Sequence, residues 1–221
     1  GICCATIAEA ELMVNAGIRN VLHTCQPAGK NKIWRAVELA KKDPTLMLVA
    51  DDPITVEQLN EAAAVSGVRV RTLVDIYAGL TRHGHAAGQP GLELAKKIDA
   101  AKHLRFSGVM GYSGTASHTK GWETRRARSR QDVGPVVETA QLCRKAGLDA
   151  SIITGGSTGT YNIDQEIGLT ELQAGSYVFM DSLYNHIGKK SGEARYDDFA
   201  TSLHVLTTVI SRNHAGQVTI D

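Results

Sequence analysis

The stretch LMLVADDPITVEQ, residues 46–58, contains the pattern that decides the fold of this chain. Its first five residues, Leu46–Ala50, are apolar without alternation, as expected of a parallel strand that is covered on both faces. Thr55, followed three residues later by Gln58, fits a capping box, in which two side chains satisfy free N–H groups at the start of a helix. The stretch therefore predicts a buried strand followed by a helix.

The same strand–helix unit recurs along most of the chain. Thr6 and Glu9 form a second capping box, and Gly17 and Gly147 each follow a helical stretch just before a strand. Successive units of this kind imply right-handed crossovers and a parallel sheet. Besides residues 46–50, the predicted strands are Ile2–Ala5, Val21–Thr24, Val68–Ile76, Phe106–Tyr112, Ser151–Thr154 and Leu169–Gln173.

One helical segment, residues 122–146, is longer than a simple crossover requires. It contains Gly134-Pro135, and proline lacks an N–H group and clashes with the preceding helical turn. We expect two helices here, or one helix with a kink.

Seven strand–helix units are compatible with an open doubly wound sheet and with a (βα)8 barrel. The chain opens on Gly1-Ile2-Cys3-Cys4-Ala5, without Met and already inside a strand-like run. One more unit upstream would complete eight, so we predict an α/β fold, a TIM-type (βα)8 barrel that lacks its first strand. We therefore interpret the chain as a fragment.

The pattern changes after the seventh unit. Residues 191–198 are polar, and Leu203–Arg212 reads as a long β-branched strand, followed by a strand-like Gln217–Asp221. We predict a barrel domain over residues 1–185 and the start of a β-rich second domain over residues 186–221.

Composition excludes several classes of protein. The 24 Lys and Arg residues nearly balance the 23 Asp and Glu residues, so a globally basic nucleic-acid surface is not indicated. No apolar run is long enough to span a membrane. The 4 cysteines lack metal-type spacing, which favours free thiols and a cytoplasmic location.

Candidate functional residues follow the predicted strands, because active sites of such barrels lie at the carboxyl ends of the strands. Arg82 lies in a Gly-rich loop after the fourth strand, either as a surface residue or as a cation that binds an anion or a phenolate. His118 ends a polar loop that begins at Tyr112, either as a solvated side chain or as a base.

Two further loops favour a phosphate. Residues 154–161, TGGSTGTY, combine consecutive glycines with the hydroxyls of Ser157 and Thr158, although a plain Gly-rich turn is the alternative. The Gly-Lys-Ser/Thr ending of a Walker A loop is absent. A second loop contains Gly175 and Ser176. With one strand missing, these loops follow strands seven and eight, which bind phosphate together in many barrels.

Five segments together resemble a known family, the fold-type III pyridoxal-phosphate (PLP) enzymes with an alanine racemase-like barrel. Within that family they resemble most the branch of the D-threonine aldolases and D-serine dehydratases. The segments are Gly1–Thr6 with Glu9-Ala10-Glu11, Asp75–Gly84, Tyr112–His118, Thr154–Tyr161 and Glu171–Asp181.

The resemblance implies PLP as cofactor and a role for each matching residue. Arg82 and Tyr112 would lie near the ring and its phenolic oxygen, and Gln173 near the pyridine nitrogen. His118 would help to deprotonate the β-hydroxyl of the substrate, beside water bound to a divalent metal (Mn, Mg or Zn). The residues that would hold the phosphate are Gly156, Ser157, Thr158, Gly175 and Ser176.

The resemblance also implies what lies elsewhere. The Schiff-base lysine and the metal ligands are expected outside this chain, and Lys30 and Lys32 are interpreted as solvent-facing. A fragment of this kind is expected to be poorly soluble and without turnover. Residues 182–185 (SLYN) and 113–117 depart from the usual family sequence, which leaves the substrate open.

The leading functional hypothesis is an aldolase that cleaves D-3-hydroxy amino acids to glycine and an aldehyde. The alternatives are β-elimination on the same barrel, as in a D-serine dehydratase or a 3-hydroxy-D-aspartate lyase, a non-catalytic PLP-binding protein, and a barrel enzyme for another phosphate ester. The expected partner is a small D-amino acid, and a homodimer is the assembly that the resemblance allows.

Overall fold

Seven parallel strands form one sheet, in the order in which they occur along the chain. The computed structural model describes all 221 residues. A doubly wound sheet would reverse its strand order at a switch point, whereas a barrel wall keeps the order of the chain. The predicted barrel is therefore confirmed. The strands are β1 (Ile2–Cys4), β2 (Val21–His23), β3 (Met47–Ala50), β4 (Val70–Asp75), β5 (Leu104–Gly111), β6 (Ile152–Gly155) and β7 (Glu171–Leu172).

Helices pack on one face of this sheet. They are α1 (Ile7–Asn15), α2 (Lys30–Lys42), α3 (Pro53–Ser66), α4 (Gln89–Ala100), α5 (Gly114–Ser117), α6 (Trp122–Lys145) and α7 (Tyr161–Ile167). In β3, Leu48 and Ala50 join the core under the helices, whereas Met47 and Val49 join a smaller cluster on the opposite face, inside the barrel. Both faces of the strand are buried, which explains the apolar run without alternation.

One of the two predicted capping boxes is present. At α1 the hydroxyl of Thr6 accepts a hydrogen bond from Glu9 N (3.2 Å), and Glu9 Oε2 accepts one from Thr6 N (2.9 Å). The second prediction is wrong, because α3 begins at Pro53 and its N-cap is Asp52, which accepts from Thr55 N at 2.9 Å. Asp is a strong cap, and proline is favoured in the first helical turn.

Of the two outcomes expected over residues 122–146, two helices or one helix with a kink, the first is wrong. Helix α6 runs unbroken for 24 residues with Pro135 inside it. Val133, Val136, Val137 and Ala140 are buried against the barrel, so tertiary packing offsets the hydrogen bond that proline cannot make.

The carboxyl-terminal segment forms a short antiparallel pair of strands, β8 (Val209–Ser211) and β9 (Thr219–Ile220). The predicted length of the strand over Leu203–Arg212 is wrong, because only Val209–Ser211 (β8) within this range forms a strand. Leu206 is fully exposed, so the apolar side chain at this position packs against no other part of the chain. The domain boundary after residue 185 stays a prediction.

None of the helices is both long and apolar enough to cross a membrane.

Candidate cofactor and active site

A cavity of about 400 Å³ lies at the carboxyl ends of the strands. It brings together seven of the residues that the sequence singled out, namely Arg82, Tyr112, Ser157, Thr158, Gln173, Gly175 and Ser176. A second cavity, of about 480 Å³, lies between the amino ends of the strands, beside Asn20, Arg71 and Glu171. Chemistry in barrels of this kind takes place at the carboxyl ends, so the first cavity is the candidate site.

The loop after β6 has a backbone that only glycine adopts readily. Gly156 has φ of +75°, and a Cβ there would lie 2.9 Å from both Asp164 Oδ2 and a methyl group of Leu172. Gly156 therefore allows the loop to pack closely against Asp164 and Leu172, although Gly156 itself does not line the cavity.

The two predicted phosphate loops are joined to each other. Tyr177 N donates to Thr158 Oγ1 at 3.0 Å, which ties the loop after β7 to the loop after β6. The N–H groups of Thr158, Gly175 and Ser176 have no acceptor within the protein, and all three residues line the cavity. Converging N–H groups without partners form a site suited to an anion.

A buried carboxylate supports the first of these loops from behind. Asp164, on α7, is 1% exposed and accepts hydrogen bonds from the hydroxyls of Ser129 and Thr160. Thr160 Oγ1 in turn lies 3.2 Å from Ser157 N and 2.9 Å from Ser157 Oγ. Burial raises the pKa of Asp164, and these hydrogen bonds partly offset that effect.

Arg125 fixes the same loop from α6. Its guanidinium is fully buried and donates to the carbonyl oxygens of Gly159 (2.8 Å), Thr119 (3.1 Å), Ile187 (2.7 Å) and Gly188 (2.8 Å). Burial lowers the pKa of Arg125. One side chain therefore joins the loop after β6 to the segment that follows β7.

Arg82 lines the cavity with a guanidinium that takes part in none of the ion pairs of the structure. The loop that carries it is anchored by Asp75, a buried carboxyl in contact with His83 Nδ1 and 2.8 Å from Gln26 Nε2. Desolvation raises the pKa of Asp75, and the contact with His83 acts in the opposite direction. Asp75 thus positions the loop and leaves Arg82 free for a ligand.

Tyr112 and Gln173 present polar groups to the cavity. Burial raises the pKa of Tyr112, and so does the neighbouring Tyr184, which keeps the phenol protonated at neutral pH. Gln173 Nε2 donates to Thr154 Oγ1 at 3.0 Å, so its Oε1 is the atom without a protein partner.

The structure does not bring His118 into the cavity lining. His118 is exposed, and its ring stacks on that of Tyr184 with centroids 4.4 Å apart. Tyr184 itself lines the cavity, and its hydroxyl lies 2.6 Å from Ser117 Oγ. His118 is thus separated from the cavity by one aromatic ring.

The loop that carries His118 is held by Asp132 of α6. Asp132 Oδ2 accepts from Ser113 Oγ (2.6 Å), Thr115 Oγ1 (3.1 Å) and Arg128 Nε (2.8 Å). A Cβ on Gly79 would lie within 2.5 Å of this carboxylate, so the loop after β4 also approaches it closely.

Sequence reasoning missed the residues that support the site, namely Tyr184, Arg125, Ser129, Asp132 and Asp164. A signal was present for three of them, because Arg125, Ser129 and Asp132 are spaced at i, i+4 and i+7, on one face of α6.

Lys30 and Lys32 are exposed and do not line the cavity, which confirms that they face solvent. No group of three or more His, Cys, Asp or Glu side chains is placed to hold a metal ion.

Comparisons with known proteins agree with this geometry. The chain is 33% identical over 214 residues to the 3-hydroxy-D-aspartate aldolase of Paracoccus denitrificans (strain Pd 1222), covering 96% of the chain and 55% of that protein. It is 32% identical to the D-threonine aldolase of Arthrobacter sp, covering 100% of the chain and 57% of that protein. The chain spans about half the length of the curated relatives it matches.

A solved structure shows the same fold. The crystal structure of D-threonine aldolase from Filomicrobium marinum superposes with a TM-score of 0.88 at 32% identity, over 100% of this chain and 58% of that one. The family described as alanine racemase, N-terminal domain, matches residues 1–183. The resemblance predicted from the motifs is thereby confirmed, and the chain belongs to the alanine racemase N-terminal domain family.

Proposed function

We propose that the whole protein is a PLP-dependent aldolase that cleaves D-3-hydroxy amino acids, of the D-threonine type, to glycine and an aldehyde. The observation that carries the proposal is a single cavity in which N–H groups without acceptors lie near the side chains of Arg82, Tyr112 and Gln173. The two curated relatives named above are both aldolases, which supports this reaction over β-elimination.

The residues around the cavity fit PLP. A volume of about 400 Å³ lies in the range usual for cofactor sites, about 300–1,000 Å³. The free N–H groups of Thr158, Gly175 and Ser176 would hold the phosphate, with Ser157 beside them. Because Gly156 has no Cβ, the loop can pack against Asp164 and Leu172 without overlap.

Two side chains would hold the ring of the cofactor. The guanidinium of Arg82 is free of ion pairs and suits the phenolic oxygen. Gln173 Oε1 is the free atom for the pyridine nitrogen, and an amide there stabilises less negative charge in the ring than a carboxylate would.

When bound, PLP supplies an electron sink for the electron pair that cleavage leaves on the substrate Cα. The chain must take the proton from the β-hydroxyl of the substrate. We assign that proton to His118, since an imidazole is the usual base near neutral pH. His118 lies behind the ring of Tyr184, so this role requires Tyr184 to move aside when substrate binds, and Tyr112 is the hydroxyl that lines the cavity itself. The divalent metal (Mn, Mg or Zn) implied by the resemblance finds no set of ligands among the 221 residues and stays a prediction.

The proposal is tested on the whole protein by PLP binding and by product analysis. We expect a visible absorbance band after PLP addition, and glycine with an aldehyde from D-threonine. His118→Ala should lower kcat by about 10²–10⁴-fold, whereas His204→Ala, an exposed histidine outside the cavity, should not. Full turnover in His118→Ala would remove His118 from the mechanism. Pyruvate from D-serine, with no glycine from D-threonine, would establish β-elimination instead.

A further inference from the structure

Asp164 is a buried carboxyl group without a cationic partner. It is 1% exposed, and its oxygens accept from hydroxyl groups, Oδ1 from Ser129 and Oδ2 from Thr160, with the backbone N–H of Ser157 also directed toward the carboxyl. Buried carboxylates are usually paired with a cation, since an unpaired charge in the interior is costly. The position of this carboxyl, directly behind the phosphate loop, therefore needs an explanation.

The charged groups of the elements packed around Asp164 are engaged elsewhere. On α6, Arg125 is bonded to backbone carbonyls, and Arg126 pairs with Glu166 at 3.5 Å. On α7, Tyr161 donates to Asp198 at 3.3 Å. The segment at β7 contributes the apolar side chain of Leu172. Asp164 thus acts on its surroundings through a chain of hydroxyl groups and the N–H of Ser157, and not through a charged partner.

With Asp164 ionised, the direction of every hydrogen bond in this chain is fixed. A carboxylate only accepts, so Thr160 must donate its single proton to Asp164. Thr160 Oγ1 then accepts from Ser157 N and from the hydroxyl of Ser157. The hydroxyl proton of Ser157 is therefore directed toward Thr160, and Ser157 can donate it to an anion only by giving up that hydrogen bond.

With Asp164 protonated, the chain reverses without losing a bond. The acid O–H donates to Thr160 Oγ1, which still accepts from Ser157 N. Thr160 then donates to Ser157 Oγ, and the hydroxyl proton of Ser157 is free for the cavity. Both states satisfy every donor and acceptor of the chain, and only the second frees the hydroxyl proton of Ser157 for a phosphate without loss of its bond to Thr160.

We propose that binding of a phosphate group at this loop is coupled to the uptake of one proton by Asp164, which turns Ser157 into a donor to the phosphate. The inference rests on the proposed function, because it requires the phosphate of PLP to lie at the Ser157 loop. The proton comes from solvent, one O–H bond forms on Asp164, and the hydroxyl groups of Thr160 and Ser157 rotate without breaking a covalent bond.

Two physical effects favour this coupling. Desolvation already raises the pKa of Asp164 before any ligand is present. A phosphate dianion two hydroxyl groups away adds repulsion between like charges in a poorly solvated region, which favours the neutral acid further. Asp164 is therefore a positioning residue that acts through Thr160 and Ser157.

The test is the pH dependence of ligand affinity in the whole protein. The probes are 4′-deoxypyridoxine 5′-phosphate, which cannot form an imine, and 4′-deoxypyridoxine, which lacks the phosphate. Between pH values of about 7.5 and 9 the free phosphate is a dianion, since its second pKa is about 6. Uptake of one proton makes the Kd of the phosphorylated probe rise about tenfold per pH unit more than that of the other probe. The ³¹P chemical shift should show that the bound phosphate remains a dianion.

Variants separate Asp164 from general effects on the loop. Asp164→Asn should remove the extra slope, because its amide donates to Thr160 at every pH. Ser157→Ala, which deletes the last hydroxyl of the chain, should also lose most of the slope, and it decides the question if Asp164→Asn does not fold. Asp132→Asn is the matched control, a buried carboxylate of α6 that contacts the His118 loop instead, and it should keep the slope.

Each of three results would overturn the inference. These are equal slopes for the two probes in the wild type, a slope that persists in Asp164→Asn or Ser157→Ala, and a protonated bound phosphate. Equal affinities for the two probes at every pH are a separate result, since they would remove the phosphate site itself and with it the proposed function.

Discussion

Replacing Gly156 by alanine should weaken both the fold and the binding of a phosphorylated cofactor. The backbone at Gly156 has φ of +75°, and moving an L-residue into this region costs about 1–2 kcal/mol. The new Cβ would also meet Asp164 Oδ2 and Leu172, each at 2.9 Å. Because Asp164 is held by Ser129 and Thr160, the overlap is relieved mainly by movement of the loop, which adds about 1–3 kcal/mol.

Gly147→Ala is the matched control for this substitution. Gly147 has φ of +82°, but nothing lies within 4 Å of a Cβ built there. The control therefore measures the backbone term alone, about 1–2 kcal/mol, whereas Gly156→Ala should lose about 2–5 kcal/mol of unfolding free energy when both terms are added.

The assay combines urea denaturation with titration of PLP into the whole protein. Gly156→Ala should raise the Kd for PLP about tenfold or more, equivalent to about 1.4 kcal/mol, whereas Gly147→Ala should leave it unchanged. If the two variants lost equal stability and both bound PLP normally, the close approach of the loop to Asp164 would have no role in binding.

Three further predictions concern buried side chains, namely Arg125, Tyr184 and His23. Arg125→Met should lower the unfolding free energy by more than about 3 kcal/mol, because it leaves buried carbonyl groups without donors. Chemical denaturation measures this loss, and a loss below about 1 kcal/mol would contradict the role given to Arg125. Tyr184→Phe should lose about 0.5–1.5 kcal/mol with the hydroxyl bond to Ser117, measured in the same way, and an unchanged stability would contradict the bond. Burial lowers the pKa of His23 from 6.5 to about 4, so the unfolded state binds more protons between these values, and stability should fall by about 3 kcal/mol as the pH falls through this range. His23→Gln should flatten this part of the pH profile, and an identical profile would contradict it.

Strands and loops were predictable from the sequence because their signals are local. Buried parallel strands show as short apolar runs, and each of the seven predicted runs overlaps one strand of the sheet. The glycines of the loop after β6 mark a backbone that L-residues avoid, and Gly156 has a left-handed φ. These features need no knowledge of distant contacts.

Helix boundaries were less predictable because signals compete or are overridden. The sequence pattern placed the N-cap of α3 at Thr55, but the structure has it three residues earlier at Asp52, where Pro53 is favoured as the first helical residue. Pro135 predicts a break in α6, but burial of its neighbours on the barrel maintains one helix. In both cases the outcome depends on context beyond a short window.

The supports of the candidate site were missed because they act from a distance along the chain. Asp164 meets Ser129 across 35 positions, and Tyr184 meets Ser117 across 67. A charged residue on a helix normally faces solvent. Arg125 and Asp132 therefore look like surface residues in the sequence, and only the structure shows that both are buried. Only the spacing of these polar residues on one face of α6 gave a hint.

The central claim is that the loops after β6 and β7 together hold the phosphate of PLP. The most direct measurement is a crystal structure of the whole protein with PLP bound. We expect the phosphate oxygens within hydrogen-bond distance of the N–H groups of Thr158, Gly175 and Ser176, with the ring between Arg82 and Gln173. A phosphate at the amino-end cavity beside Asn20 and Arg71, or at any other surface, would contradict the account.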